Sequence, residues 1–195
     1  MFSLTDSNEI NYYVELSIKQ NLSINALKRK IKNNEYERLP DKTKEKLIEK
    51  QDNSIEDFIK HPIIIKSNLT YENISEKVLK QLILEDMENF LKELGVGFSF
   101  IASEYKIRMG KTSNYIDLLL YNIKYNCYTV VELKVTELRK EHLGQIQVYM
   151  NYIDENIKDA TQNKTMGIII VKEDNQFIMK YCSDDRIFRT TFTLN

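Results

Sequence analysis

What most restricts the folding of this chain lies between Tyr115 and Lys134, where two apolar runs are each broken by a single carboxylate. The first reads Tyr115-Ile116-Asp117-Leu118-Leu119-Leu120-Tyr121, the second Thr129-Val130-Val131-Glu132-Leu133-Lys134. Aliphatic and β-branched runs joined through the polar stretch Asn122-Ile123-Lys124-Tyr125-Asn126 predict two paired, buried strands. A carboxylate among Ile, Leu and Val costs several kcal/mol to desolvate unless something pairs with it. Each strand therefore needs a partner for its acid.

If the hairpin is antiparallel with Asn122 opposite Cys127, Asp117 falls directly across from Glu132. Directly opposed residues have Cβ atoms roughly 4.5–5.5 Å apart, close enough for two carboxylates to share one cation at the ~2.1 Å oxygen distance Mg²⁺ requires. Lys134, two residues beyond Glu132, lies on the same face. Each residue type has a use in hydrolysis: hard oxygens bind Mg²⁺, and the metal acidifies a bound water. The ammonium can hold or deprotonate a water or neutralise charge on a phosphate. The same three residues also make an ordinary cross-strand salt bridge, and spacing alone does not separate the two readings.

Composition limits the remaining choices. At 195 residues the chain can bury a core of its own, and 28 basic against 29 acidic residues leave a net charge of −1, so any nucleic-acid site must be a local patch. Cys127 and Cys182 are too few for a disulfide framework and show no zinc spacing, which points to a reducing compartment. Five glycines and two prolines exclude a Gly-rich phosphate loop, and no apolar run approaches the ~20 residues of a membrane span. A soluble, cytoplasmic protein is expected.

Along the chain, residues 8–20 and 24–36 read as short amphipathic helices, the second capped by Ser23. Lys28, Arg29, Lys30 and Lys32 give the second helix a basic face, either a solvated surface or a phosphate-contacting one. His61-Pro62 ends a polar, charged stretch (40–60) and sets a boundary between residues 1–60 and 61–195. Apolar residues at three- and four-residue spacing predict one buried helix from Ser75 to Gly95 and Gly97. Asp86 and Glu93 lie near its apolar stripe, as candidates to face a site. Strands are expected at 98–109, 115–121, 127–134, 166–171 and 176–181, with a turn at 110–114 and a helix at 137–155. This order predicts an α/β fold, a mixed sheet flanked by helices on both faces, preceded by a small helical segment.

Asp117 with Glu132-Leu133-Lys134 resembles the PD-(D/E)xK nuclease signature, with Ile116 where that name has proline. The wider text is similar to the YhcG-type nuclease domain. It includes Phe90-Leu91-Lys92-Glu93-Leu94-Gly95-Val96-Gly97-Phe98-Ser99-Phe100, Tyr115 to Tyr121, Val131 to Lys134 and Gly144-Gln145-Ile146-Gln147-Val148-Tyr149. The likeness runs from about residue 58 to 182, and Ile59-Lys60-His61-Pro62 resembles the family's linker. Residues 9–39 resemble the last two helices of the helical domain that usually precedes it, so the chain looks like a shortened relative or a fragment.

The resemblance implies a restriction-endonuclease-like fold with Asp117, Glu132 and the Leu133 carbonyl as metal ligands and Lys134 as the catalytic lysine. Gln145 and Tyr149 match the Gln-x-x-x-Tyr helix motif of the RecB-like nucleases. Four apart on one helical face, they could contact phosphate or brace Lys134, while spacing by itself favours Tyr149 as a core aromatic. The helix acid that often completes such sites is either Asp86 or Glu93. The implied activity is Mg²⁺-dependent hydrolysis of DNA phosphodiesters, with Mn²⁺ as substitute, in restriction, repair, recombination or defence. RNA is a weaker substrate option, and a homodimer and restriction or defence partner proteins are further expectations by analogy. The competing reading is a DNA-binding or assembly subunit whose nuclease fold is vestigial or awaits a partner.

Overall fold

The computed structural model describes residues 4–49 and 59–195, and expectations for residues 50–58 lie outside the described residues. The chain forms two compact units, Met1–His61 and Pro62–Asn195. In the first, α1 (Ser7–Gln20) is capped by Asp6 and α2 (Ile24–Lys32) by Ser23. Each cap's side chain accepts a first-turn backbone N–H, which the helix itself cannot satisfy. α2 stops at Lys32 rather than Tyr36, because Asn34 turns into the left-handed region at φ 49° and sends Tyr36 inward. Tyr13, Tyr36 and Leu39 form a small core with Leu16, Leu27 and Ile31 around them, and α3 (Asp41–Glu49) follows.

The second unit is built on one six-stranded sheet. Its strands are β1 (Ile63–Ile65), β2 (Phe98–Met109), β3 (Thr112–Asn122), β4 (Cys127–Glu137), β5 (Met166–Glu173) and β6 (Ile187–Leu194), in spatial order β1-β6-β5-β4-β3-β2. β2, β3 and β4 form an antiparallel meander, and β4, β5, β6 and β1 run parallel. The parallel half needs a crossover, and α6 (Lys140–Asn156) supplies it between β4 and β5. α6 lies so close to β5 that a Cβ added at Gly167 would come 2.6 Å from the Met150 sulfur and 2.8 Å from Ile146 Cδ1. Residues 166–171 of β5 are buried throughout, as expected of a central strand covered on both faces. Helices α4 (Glu76–Glu85) and α5 (Met87–Leu94) complete the α/β sandwich.

Two expectations are corrected. The helix expected from Ser75 is broken at Asp86, whose backbone leaves the helical region (φ −128°, ψ 53°) and whose side chain caps α5 by accepting from Asn89 N. An unbroken apolar stripe hides such a break, because a cap within the stripe leaves the spacing intact. Residues 176–181 do not form a strand: Gln176–Lys180 is a short helix, α7, capped by Asn175. The strand beside β5 is β6, which the sequence reading lacked, as it lacked β1. Short apolar runs fit a strand and a helical turn equally well, and the Asn175 cap is the signal that tells them apart.

Candidate active site

β3 and β4 pair as the register requires: Asn122 lies opposite Cys127, and the ladder continues to Leu118 opposite Val131. At the next rung the acids take over from the backbone. The Asp117 N–H donates to Glu132 Oε1 (3.4 Å), and the Leu133 N–H donates to Asp117 Oδ2 (3.0 Å). The strands separate here, and the two carboxylates satisfy N–H groups that would otherwise have been left unpaired. The hairpin register thus brings Asp117 and Glu132 to one point.

Glu132 is 2% exposed. Burial, and then the neighbouring charge of Asp117, push its carboxyl up to about 7, with Lys134 opposing both. The Lys134 Nζ lies 3.3 Å from Glu132 Oε2 and 3.8 Å from Glu76 Oε2 on α4. Burial works against its ammonium, but Glu132, Glu76 and Asp117 outweigh burial and hold its pKa above the ordinary lysine value. Lys134 is therefore a charged donor here, hydrogen-bonded to Glu132.

Three further side chains, none of them marked by a motif, stand beside the acid pair and its lysine. Glu76, in the first turn of α4, is the helix acid that approaches Lys134. Lys80, one turn further on, donates from Nζ to Asp117 Oδ1 (3.3 Å) and to Glu104 Oε1 (2.7 Å). Glu104 sits on β2 at the rung of Asp117, between the pairs Ser103–Leu118 and Tyr105–Ile116, with a left-handed φ of 49°. The i, i+4 spacing of Glu76 and Lys80 puts them on one helical face, and that spacing was the only sequence signal for either. His142 of α6 also feels this site: burial and then the charges of Lys134 and Arg139 lower its pKa.

The remaining candidates are placed as follows. Asp86 pairs with Lys66 (2.7 Å) at the surface, and Glu93 is buried with its Oε2 accepting from Ile64 N (3.1 Å), so it braces β1. Gln145 donates to the Tyr149 hydroxyl (3.0 Å), confirming their shared face, and the Tyr149 ring is part of the core with Ile146, Met150 and Ile153. Lys28, Arg29 and Lys32 are exposed, whereas Lys30 turns inward to Glu35 (2.9 Å) and leaves the basic face.

Among the described residues no group of three or more His, Cys, Asp or Glu side chains is arranged to hold a metal ion. The donors that do converge are two carboxylates, with the Leu133 backbone beside them. Their chemistry fits a hard divalent cation: Glu132 is a deeply buried oxygen donor whose charge its surroundings disfavour, and a bound cation reverses that preference.

A buried glutamate facing a partly buried aspartate and lysine at the open end of an antiparallel hairpin, within a mixed helix-flanked sheet, is the arrangement expected of a PDDEXK nuclease domain. The chain belongs to the YhcG PDDEXK nuclease domain family, which matches residues 56–193. It is 22% identical over 179 residues to the Escherichia coli (strain K12) protein named "Putative nuclease YhcG", covering 89% of this chain and 48% of that protein. The chain thus spans about half the length of this curated relative. Similar solved structures include a repair endonuclease from Pyrococcus abyssi (20% identity, TM-score 0.46, 61% of this chain and 47% of that one). Another is EndoMS in complex with double-stranded DNA (19% identity, TM-score 0.47, 64% and 46%). Among the described residues no helix is long and apolar enough to cross a membrane.

Proposed function

We propose that this domain is a divalent-metal-dependent deoxyribonuclease that hydrolyses phosphodiesters by attack of an activated water. The observation that carries the reading is the convergence of Asp117 and Glu132 where the β3–β4 ladder opens, with the Lys134 ammonium beside them. Asp117, Glu132 and the Leu133 carbonyl would hold Mg²⁺, or Mn²⁺ in its place. When bound, such an ion acidifies a water and polarises the phosphate. Lys134 donates to the phosphate and offsets the negative charge that builds on it. Gln145, oriented by the Tyr149 hydroxyl, is a further donor toward the substrate or toward Lys134. DNA is the proposed substrate, gripped through its backbone since no base-reading motif is present, and the setting is restriction, repair, recombination or defence.

Purified protein with Mg²⁺ or Mn²⁺ is expected to cut at least one of plasmid, linear and branched DNA, and Asp117→Asn is expected to abolish the cut. Metal should also raise the melting temperature of the wild type and not of Asp117→Ala or Glu132→Ala, because only native-state ligands stabilise by linkage. Intact DNA together with no metal-induced shift overturns the reading and leaves a binding or assembly module. Cleavage of RNA alone would move the substrate class.

A further inference from the structure

Among the described residues Lys80 is the cation paired with Asp117, and the sheet supplies it with a second acid that the hydrolytic chemistry does not use. Its Nζ lies 3.3 Å from Asp117 Oδ1 and 2.7 Å from Glu104 Oε1, and its side chain is only 15% exposed. A single ammonium thus bridges an inner and an outer carboxylate. The outer one is held in an uncommon backbone conformation: Glu104 has φ 49° within a strand, where a residue with a Cβ is disfavoured. The register on either side of it is unbroken, so Glu104 falls on the rung of Asp117, and its carboxylate accepts from Lys80 there. A residue kept in such a conformation beside a site points to a use for its side chain.

We infer that Lys80 is a positioning residue that occupies Asp117 as a counter-ion in the metal-free protein, and that Glu104 is the seat to which its ammonium withdraws when a divalent cation takes its place. This rests on the metal-site reading above. The exchange is one of ion pairs, with no bond made or broken. In the metal-free state Lys80 balances a carboxylate that would otherwise repel Glu132. On metal entry the same ammonium would be repelled by the ion, and its bond to Glu104 keeps it charged and anchored outside the coordination sphere. The arrangement makes cation affinity a difference between two occupancies of Asp117, and Lys80 and Glu104 set that difference in opposite directions.

Mn²⁺ affinity measured by titration calorimetry on the purified full chain tests this, with the metal-induced change in melting temperature as a second readout. Lys80→Gln removes the competitor and should bind Mn²⁺ about three- to fivefold tighter, the upper part of the range expected of losing one partly screened ion pair. Glu104→Gln leaves the ammonium on Asp117 and should bind a few-fold more weakly. Both positions lie at the edge of the site, and Lys80→Arg, which keeps the charge, should return the affinity to within about twofold of wild type. The double variant Lys80→Gln/Glu104→Gln decides the matter. If Glu104 acts through Lys80, the double variant matches Lys80→Gln. If the two effects simply add, Glu104 is an ordinary electrostatic contributor and the inference is overturned. Unchanged affinity in Lys80→Gln also overturns it while leaving the metal site intact. A wild type that takes up no Mn²⁺, or an Asp117→Asn variant that binds as well as wild type, overturns the metal-site reading and this inference together.

Discussion

Two buried glutamates, one in each unit, show how similar burial can serve opposite ends. Glu35 is 7% exposed and, among the described residues, is held by two lysines and a tyrosine hydroxyl. The Lys30 Nζ donates to both of its oxygens (2.9 and 3.0 Å), Lys60 lies 3.3 Å away, and the Tyr12 hydroxyl donates at 3.5 Å. Glu132 is 2% exposed and has one lysine at 3.3 Å, but it also has a second acid, Asp117, on the facing strand. Surplus cations make Glu35 part of the scaffold of its unit. Burial, and then crowding with another carboxylate, leave Glu132 with its charge unfavourable and its carboxyl raised to about 7, in keeping with the cation-binding role proposed for it.

The largest expected effect comes from Glu132→Gln. Cleavage should fall roughly a thousandfold, since a lost metal ligand removes several kcal/mol of transition-state stabilisation. The metal-free variant should nevertheless melt no lower than wild type near pH 8. A clear loss of metal-free stability would make Glu132 a scaffold acid like Glu35 and erase the contrast.

Glu35→Ala sharpens the comparison from the other side. Withdrawing an acid from between two lysines and a tyrosine should cost about 2–3 kcal/mol of stability, read as a shift in urea midpoint. A variant as stable as wild type would show that this ion cluster contributes nothing net.

Acidity provides the third test. The raised pKa of Glu132 means that between about pH 4.5 and 7 the folded protein holds a proton that the unfolded chain has released. Its contribution to stability is complete below the unfolded value and is lost as the pH rises through about 7. The melting temperature of metal-free wild type should therefore drop by several degrees relative to Glu132→Gln over that interval, and saturating Mg²⁺ should close the gap. Parallel curves for the two proteins would remove Glu132 as the titrating group.

The smallest effect is expected of Tyr149→Phe, which keeps the ring in the core and removes only the acceptor of Gln145. Stability should change by about 1 kcal/mol or less. A several-fold loss of cleavage would show that orienting Gln145 matters, whereas unchanged cleavage would make the pair purely structural.

The legible part of this molecule is the part governed by near neighbours. Strand alternation and one turn place Asp117 opposite Glu132, and the observed pairing of Asn122 with Cys127 keeps that register to the point where the acids meet. A cap such as Ser23 acts within a few residues of itself and could be read the same way. Asp86 and Glu93 mislead because a helical stripe records which side faces inward and not what lies across from it. Asp86 ends one helix and caps the next, and Glu93 faces β1, a strand too short to carry its own pattern.

By itself, then, the sequence determined the hairpin, its register, the acid pair with its lysine, and the shared face of Gln145 and Tyr149. These depend on spacings of two and of three to four residues, which the backbone imposes locally. Only the tertiary structure decided that Glu76 rather than Asp86 or Glu93 reaches Lys134, that Lys80 bridges Asp117 to Glu104, and that β6 rather than residues 176–181 continues the sheet. Those choices depend on how α4 docks against the sheet and on where a parallel strand returns. Packing over the whole core sets both, and no local spacing records it.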